Sequence, residues 1–362
     1  MNQYKLLTPG PLTTTETVKE SMLVDHCTWD DDYKNITQKI RQSLLDLAHV
    51  SDKEYTTVLM QGSGTFGVES VLSSIIPRDS ELLLLSNGAY GERMQEICNR
   101  HRIKYCYINE EYHCVFDINE VQQLLENNSQ IKYVAMVHSE TTTGILNNIQ
   151  EVGELCKKYN KTFIVDAMSS FGGIDIPVKE FGIDYLVSSA NKCIQGVPGF
   201  SFVICKKEKF MKTEGIADSL SLDLFDQWKT MEKDGKWRFT SPTHVVLAFQ
   251  QALEEMEVEG GIEARNQRYS NNMKVLIEGF NKLGLKCYLS EENQGPIIAT
   301  FEYPDDNFSF EEMYNFVKER GYAIYPGKLL NMNTFRIGVI GEIYEEDINR
   351  LIEIMNEYFE MK

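Results

Sequence analysis

The sequence contains no apolar run that approaches the roughly 20 residues needed to cross a bilayer, so we expect no membrane association. Its amino terminus lacks the basic start and apolar stretch of a secretory signal, and we expect a cytoplasmic protein. Basic residues are scarce, since 36 Lys and Arg stand against 54 Asp and Glu, for a net charge of −18. Such a field repels phosphate backbones and argues against nucleic acid as a partner. An anionic small substrate would need a locally built site.

Paired cysteines are also missing. The 8 cysteines form no Cys-x-x-Cys pair and lie in segments that resemble core helices and strands, which favours free buried thiols. The acidic run Asp30-Asp31-Asp32 could suggest a metal, but a solvated turn is favoured, and nothing else has metal-ligand spacing. We therefore predict no metal centre.

What the sequence does contain is an alternation of short apolar runs with amphipathic stretches between residues 55 and 206. The strand candidates are 55–60, 81–86, 104–109, 133–138, 162–166, 185–188 and 200–205. The helix candidates between them are 65–76, 90–101, 118–126 and 149–159. This pattern predicts an α/β domain with a mainly parallel, seven-stranded sheet covered by helices on both faces.

Beyond residue 242 the pattern changes and predicts a second, smaller α+β domain. Helices are expected over 245–259, 262–283, 310–320 and 345–358, and strands over 297–301 and 335–338. The division between the two domains is expected between residues 240 and 260. No flexible linker separates them, so we expect rigid packing.

The run Gln61-Gly62-Ser63-Gly64-Thr65 follows a predicted strand and precedes a predicted helix. Such a turn presents backbone N–H groups and hydroxyls at a helix N-terminus, which suits a phosphate. With Gly67 the run also spells Gly-x-Gly-x-x-Gly, but the next strand ends in Ser86-Asn87 rather than in the acid that a dinucleotide ribose needs. A single-phosphate site is favoured over a dinucleotide site and over a purely structural turn.

Two further residues carry chemistry. Asp166 ends a predicted buried strand, where a carboxylate points into the ligand crevice of α/β proteins or merely caps a helix. Lys192 follows a predicted strand and precedes a Gly/Pro-rich loop, a setting that favours a partly desolvated amine nucleophile over a surface lysine. A phosphate turn, an acidic strand end and a lysine 26 residues later form a specific combination.

The sequence resembles the class V aminotransferase group of the fold-type I enzymes that depend on pyridoxal 5′-phosphate (PLP), over nearly its whole length. The runs that carry the resemblance are Leu7-Thr8-Pro9-Gly10-Pro11-Leu12, Thr28-Trp29-Asp30-Asp31-Asp32-Tyr33, Ser86-Asn87-Gly88-Ala89-Tyr90-Gly91, His138-Ser139-Glu140-Thr141-Thr142-Thr143-Gly144, Val165-Asp166-Ala167-Met168-Ser169-Ser170-Phe171-Gly172-Gly173, Ser188-Ser189-Ala190-Asn191-Lys192 and Phe239-Thr240-Ser241-Pro242-Thr243-His244. It implies an N-terminal segment 1–15 that packs with the small domain, a large PLP-binding domain 16–250 and a small domain 251–362.

The resemblance also implies roles for residues in the cofactor site. The expected cofactor ligands are Ser63, Gly64 and Thr65 at the phosphate, Tyr90 stacked on the pyridine ring, Thr143 at its phenolic oxygen, Asp166 at its nitrogen, Ser189, Lys192 as the Schiff-base lysine, and Thr240 reaching the cofactor of a neighbouring subunit. Lys192 and Asp166 would be catalytic. The site would thus be completed in a homodimer.

Arg336 is implied as the residue that binds the acidic end of the substrate, assisted by the run that contains Thr8 and Gly10. The implied reaction transfers the amino group of 2-aminoethylphosphonate to pyruvate, giving phosphonoacetaldehyde and L-alanine. Alanine:glyoxylate or serine:pyruvate transamination is the alternative within the fold. A cysteine desulfurase is less favoured, because only Cys287 lies in the second domain, in a segment that is predicted as a strand.

Overall fold

A seven-stranded sheet forms the centre of the large domain in the computed structural model, which describes residues 4–327, 329 and 332–361. Its strands are β2 (Tyr55–Gln61), β3 (Glu81–Ser86), β4 (Lys104–Asn109), β5 (Ile131–Val137), β8 (Thr162–Asp166), β9 (Tyr185–Ser189) and β10 (Phe200–Lys206). Their order is β2-β10-β9-β8-β5-β3-β4, and only β10 runs against its neighbours. The predicted mainly parallel α/β fold is confirmed.

Helices cover this sheet on both faces. They are α1 (Glu16–Glu20), α2 (Asp31–Leu47), α3 (Gly64–Ile75), α4 (Ala89–His101), α5 (Ile118–Asn127), α6 (Ile149–Lys158), α7 (Lys207–Phe210), α8 (Leu224–Asp234) and α9 (Thr243–Glu259). Two hydrophobic clusters lie on opposite sides of the sheet, one against α2, α5, α6 and α9, the other against α3 and α4. Burial of alternating strand residues on both faces accounts for the near-continuous apolar strand sequences.

The small domain is built on a three-stranded antiparallel sheet of β11 (Ile298–Glu302), β14 (Thr334–Gly338) and β13 (Tyr325–Pro326). The helices α10 (Gly261–Lys282), α11 (Phe310–Glu319) and α12 (Glu345–Glu360) pack on it around a core of its own. Two short pairs complete the described strands: β6 (Ser139–Glu140) with β7 (Ile145–Leu146), and β1 (Lys5–Leu6) with β12 (Tyr322–Ala323).

The amino-terminal segment lies against the small domain, since β1 pairs in parallel with β12 and the Gly338 N–H donates to the Leu7 carbonyl at 3.0 Å. Residues 1–3 of the predicted N-terminal segment lie outside the described residues. A domain boundary at 250/251 falls inside α9, whose Met256 still packs in the large-domain core, whereas Met273 of α10 belongs to the small-domain core. The exact boundary stays a prediction.

Two interpretations of the sequence require correction. In the run Asp30-Asp31-Asp32, Asp30 is the N-cap residue and the other two begin α2 rather than a turn, and their negative charge interacts favourably with the helix dipole. All eight cysteines are free, but only four are buried, while Cys27 is exposed.

No helix in the described ranges combines the length and apolarity that a membrane span requires. The cytoplasmic location stays a prediction.

Candidate active site

A cavity of about 200 Å³ opens where β2, β5, β8 and β9 end at their carboxyl edges. Its lining combines residues of five segments that are far apart in the sequence. They include Ser63, Gly64, Thr65, Tyr90, Arg93, Ser139, Asp166, Met168, Ser189, Asn191 and Lys192. Parallel strands bring their carboxyl ends to the same edge, which is where open α/β sheets bind ligands.

The glycine-rich turn forms one end of this cavity. Ser63 is the N-cap residue of α3, and its hydroxyl makes no capping bond within the described chain. The first backbone N–H groups of a helix have no intrahelical acceptor, so they favour an anion. Arg93 of α4 donates to the Thr65 hydroxyl at 3.2 Å and adds a positive charge. A Cβ at Gly64 would overlap the Met168 side chain, so only glycine leaves this wall open. The arrangement matches a phosphate site.

Asp166 lies at the end of β8 and is almost fully buried. Its Oδ1 accepts a hydrogen bond from the Met168 N–H at 2.9 Å. Burial raises the pKa of the Asp166 carboxyl to about 7, with a further rise from Glu140, while Lys192 and Arg93 act in the opposite direction. A buried carboxylate of this kind suits a cationic ring nitrogen, which would stabilise its charged form.

Lys192 is half-buried beyond β9, and its Nζ donates to the Pro9 carbonyl at 2.6 Å. The following loop is held in place from the small domain. Buried Arg265 of α10 donates from Nη1 to the carbonyl of Cys193 at 2.9 Å and to that of Ile194 at 3.1 Å. The lysine therefore projects from a backbone that both domains fix.

A buried carboxylate, Glu140, organises the wall opposite the glycine-rich turn. It accepts hydrogen bonds from the backbone N–H of Tyr90 at 3.1 Å and from that of Gly91 at 3.4 Å, at the start of α4. It also accepts from the N–H and hydroxyl of Thr142, at 3.0 and 2.6 Å. Burial raises the pKa of Glu140 despite these donors. The contacts fix the backbone at the start of α4, which carries the Tyr90 side chain in the cavity lining.

Arg336 is buried in β14 and reaches the same wall from the small domain. Its Nη1 donates to the Thr141 carbonyl at 2.8 Å and its Nε to the Pro326 carbonyl at 3.0 Å. Among the described residues, no carboxylate lies within ion-pair distance of its guanidinium. Burial lowers the pKa of Arg336, while Tyr90, Tyr325 and Glu140 act in the opposite direction.

The amino-terminal loop closes the cavity over Lys192. A Cβ at Gly10 would lie 2.7 Å from the Lys192 Nζ, so the loop and the lysine are in direct contact. Gly10 has a φ of +124°, a conformation that favours glycine. The Thr8 hydroxyl donates to the Pro11 carbonyl at 2.6 Å and thereby shapes the loop rather than facing the cavity. A Cβ at Gly338 would overlap the Thr8 carbonyl, so β14 and this loop are packed closely.

The structure brings seven of the predicted cofactor residues together in the cavity: Ser63, Gly64, Thr65, Tyr90, Asp166, Ser189 and Lys192. Their individual roles stay predictions. Thr143 lies outside the cavity lining, and its hydroxyl donates to the Tyr112 carbonyl at 3.1 Å. Thr240 is exposed in the loop before α9, away from the cavity of its own chain.

Two buried hydroxyls on the β5–β7 connection lack a hydrogen-bond partner within the described chain, those of Ser139 and Thr141. Ser139 lines the cavity, and the Thr141 carbonyl holds Arg336. Buried hydroxyls are normally satisfied, so orphaned ones beside a cavity indicate a polar ligand. The Ser139 and Thr141 hydroxyls suit a ligand oxygen, and the glycine-rich turn at Gly64 suits a phosphate, so the cavity fits a ligand that carries both.

Sequence reasoning did not identify Arg93, Glu140 or Ser139 as site residues. Arg93 occupies a helix position that resembles an ordinary solvated arginine, and only the packing of α4 beside α3 brings it to Thr65. Glu140 carries a usable signal, because a carboxylate three residues beyond the end of the buried strand β5 lies close to the sheet edge that Asp166 also marks. His138, to which no role was given, is buried, and its Nδ1 lies 2.9 Å from the Ser170 hydroxyl.

Comparison with known proteins decides the family. The model of the family described as aminotransferase class-V matches residues 26–350. The chain belongs to this family. It is 56% identical, over 100% of its length and 99% of the relative's, to a 2-aminoethylphosphonate–pyruvate transaminase of Lysinibacillus sphaericus (strain C3-41). It is 54% identical to a transaminase of the same name from Bacillus cereus, over 97% of both chains.

Solved structures support the fold of this aminotransferase. Pyridoxamine-pyruvate aminotransferase from Mesorhizobium loti superposes with a TM-score of 0.90, covering 99% of this chain and 93% of that one at 22% identity. At this identity the similarity concerns the fold alone. The predicted resemblance to class V aminotransferases and the predicted fold-type I architecture are confirmed.

Proposed function

We propose that this aminotransferase uses PLP to transfer the amino group of 2-aminoethylphosphonate to pyruvate, which gives phosphonoacetaldehyde and L-alanine. The observation that carries the proposal is a buried arginine, Arg336, whose hydrogen bonds within the described chain go to the carbonyls of Pro326 and Thr141. Thr141 lies two residues from Ser139, which lines the cavity that contains Asp166 and Lys192. The names of the relatives at 54–56% identity support the same substrates.

The cavity residues fit PLP from its phosphate to its ring nitrogen. Ser63, Gly64 and Thr65 would bind the phosphate at the start of α3, with Arg93 adding charge, and Asp166 would pair with the ring nitrogen. When bound, PLP supplies an aldehyde for the amine and an electron sink for the bond that must ionise. Ser139 or Thr141 offers a hydroxyl for the ring oxygen, as does the predicted Thr143 once its bond to Tyr112 is exchanged.

Lys192 is the residue that moves the proton. Its Nζ lies in a half-buried position and donates to the Pro9 carbonyl, which helps to hold the amine in place. With PLP bound, Lys192 would supply the amine that holds the cofactor, and its Nζ, in the cavity lining, would serve as the general base and then as the acid that moves the proton. Asp166 remains the charge partner, and it takes no part in the proton transfer.

Arg336 accounts for the substrate pair. A phosphonate and a carboxylate are tetrahedral and planar oxyanions, respectively, and a guanidinium can bind either one through two N–H groups. Because its bonds are to carbonyls, the cation retains unused charge, and each acid can bind in turn. The net charge of −18 makes such a local cation necessary. Gly10 and the backbone beside it border the same space above Lys192.

A homodimer would complete the site. The exposed side chains of Trp29, Leu220 and Phe239 lie near one another. Lys236 connects the first to this region, since its Nζ lies 4.8 Å from the Trp29 ring centroid. Arg238, two residues later, contacts both the Phe239 ring and the Leu220 carbonyl. Clusters of large exposed apolar side chains are typical of interfaces. Thr240 follows Phe239 on this face and would reach the partner's cofactor.

Sedimentation should show a dimer, and Thr240→Ala should weaken PLP binding without dissociating the dimer. A monomeric active enzyme would exclude this assembly.

The substrates are tested by incubating the purified PLP-loaded enzyme with pyruvate and a panel of amines. Alanine is measured, together with the carbonyl product of each amine. We expect 2-aminoethylphosphonate to give the highest kcat/KM, because its phosphonate matches Arg336. A panel led by L-serine, or efficient alanine consumption with glyoxylate as acceptor, would favour the alternative aminotransferase activities and refute the phosphonate proposal.

A further inference from the structure

A cluster of potential metal ligands lies outside the active site, in the connection between β4 and α5. Glu111, His113 and Cys114 each offer one ligand atom, and these three atoms all lie within 4.8 Å of one another. The Glu111 Oε2 and the His113 Nε2 are 3.6 Å apart. The sequence predicted no metal centre, because Glu-x-His-Cys is not a familiar ligand spacing.

The distances are close to those of a tetrahedral zinc site. With Zn–N and Zn–O near 2.0–2.2 Å and Zn–S near 2.3 Å, ligand atoms lie about 3.3–3.6 Å from one another. The Glu–His pair already meets this separation. The Glu111 side chain is largely exposed and that of His113 about half exposed, so small side-chain adjustments can close the remaining gap without moving the core. A carboxylate, an imidazole and a thiolate together suit zinc and exclude a preference for magnesium or calcium.

The backbone that presents these ligands is fixed by other elements. The Cys114 N–H donates to the Glu111 carbonyl at 2.8 Å, which closes the turn that brings the two residues together. Asn87 donates to the Cys114 carbonyl at 3.0 Å from the large domain. Asn293 donates to the His113 carbonyl at 3.4 Å from the small domain. Ligands on a fixed backbone need less ordering when a metal binds.

An outer partner is also present. The Tyr288 hydroxyl lies 3.5 Å from the His113 Nδ1, and the two rings meet edge to face with centroids 5.9 Å apart. A histidine that ligates a metal through one nitrogen commonly engages such a partner with the other, which fixes the ring. The Glu111 contact uses Nε2, so the two ring nitrogens already face different groups.

We propose that Glu111, His113 and Cys114 form a binding site for one zinc ion per chain, at the seam between the two domains. A water molecule would occupy the fourth position, since three protein ligands leave one open. The strongly acidic surface of the protein raises the local concentration of divalent cations. The bound ion would fasten the 110–116 connection, whose Tyr112 carbonyl accepts from Thr143.

The site is tested on the PLP-loaded enzyme after removal of adventitious metal with a chelator. Zn²⁺ alone is titrated in competition with a chromophoric chelator, in the presence of excess Mg²⁺. We expect one equivalent per chain to bind. Removal of an outer-shell partner alone costs about 10–100-fold in affinity, so Cys114→Ser and His113→Asn should each lose at least about tenfold. Zinc X-ray absorption should show one sulfur at about 2.3 Å.

Two variants serve as controls. Cys27→Ser removes an exposed thiol that belongs to no such cluster in the described chain, and Glu110→Gln removes a neighbouring carboxylate. Both should bind zinc as the unmodified enzyme does. The proposal would be overturned if no saturable binding of one Zn²⁺ per chain were found. It would also be overturned if Cys114→Ser and His113→Asn bound Zn²⁺ as tightly as the unmodified enzyme. None of these measurements depends on transamination, so a failure of the proposed function would leave them unaffected.

Discussion

Asparagine in place of Asp166 is expected to stabilise the cofactor-free protein at neutral and alkaline pH while weakening its hold on PLP. The carboxyl group is buried at the end of β8, and burial raises its pKa from 3.8 to about 7. The unfolded chain ionises this group near its ordinary pKa, so the folded cofactor-free protein binds the extra proton between these two values. Stability conferred by the neutral acid is therefore lost as the pH rises from about 4 to about 7.

The magnitude follows from the same shift. A pKa difference of that size corresponds to about 4 kcal/mol of unfolding free energy, as an upper value, once both states are ionised above pH 7. Asparagine keeps the oxygen that accepts from the Met168 N–H and removes the titration. The gain over the parent protein should be small near pH 4, grow through pH 5 to 7 and then level off. Bound PLP should reverse its sign, because the charge partner of the ring nitrogen is gone.

The assay is urea unfolding of the cofactor-free parent and Asp166→Asn proteins at fixed concentration, from pH 4 to 8.5. Asp79→Asn, on an exposed loop, serves as the control and should shift stability by no more than about 0.5 kcal/mol. PLP affinity is followed in parallel by absorbance. A stability difference for Asp166→Asn that does not change with pH, or an unchanged PLP affinity, would refute the reasoning.

Three further substitutions test the other parts of the site. Lys192→Ala should leave a folded protein that binds PLP without a covalent link, and its transamination should fall at least about 10⁴-fold because the nucleophile and proton carrier is lost. Mass spectrometry after borohydride reduction should find no cofactor on the chain, and retained turnover would contradict the role given to Lys192. Arg336→Lys should raise the KM for 2-aminoethylphosphonate and pyruvate by about tenfold or more, because the planar guanidinium with its paired N–H donors is lost. The absorption spectrum of the cofactor should stay unchanged. Normal KM values would show that Arg336 does not bind the substrates. Gly64→Ala should weaken PLP binding by about tenfold, since the new Cβ displaces Met168 into the cavity, and unaltered binding in equilibrium dialysis would show that this wall does not contact the cofactor.

Much of the fold and the centre of the site could be predicted because both depend on local patterns. Strand ends are visible in the sequence, so Asp166 and Lys192 could be placed at one edge of a parallel sheet from the sequence alone. Arg265 could not be found, since only the packing of α10 across the domain seam brings it to the carbonyl groups beyond Lys192. The antiparallel direction of β10 was equally invisible, because a buried strand has the same composition in either orientation.

Two features could not be predicted from the sequence or from the resemblance: the partner of the Thr143 hydroxyl and the Glu111-His113-Cys114 cluster. Thr143 lies within a run of three threonines, and sequence alone does not tell which hydroxyl faces the cavity; the structure commits the Thr143 hydroxyl to Tyr112 and leaves that of Thr141 without a partner in the described chain. Glu111 and Cys114 meet only because a tight turn joins them. Long-range packing and turn geometry therefore determined what could not be predicted.

The most direct test of amino transfer from 2-aminoethylphosphonate to pyruvate follows the nitrogen itself. The PLP-loaded enzyme is incubated with ¹⁵N-labelled 2-aminoethylphosphonate without an acceptor, freed of small molecules by gel filtration and then mixed with pyruvate. Amino transfer by way of the enzyme predicts that about one labelled nitrogen per active site stays with the protein and appears in L-alanine, and that Lys192→Ala transfers none. Enzyme that retains no label, or label that reaches alanine only when both substrates are present together, would contradict it.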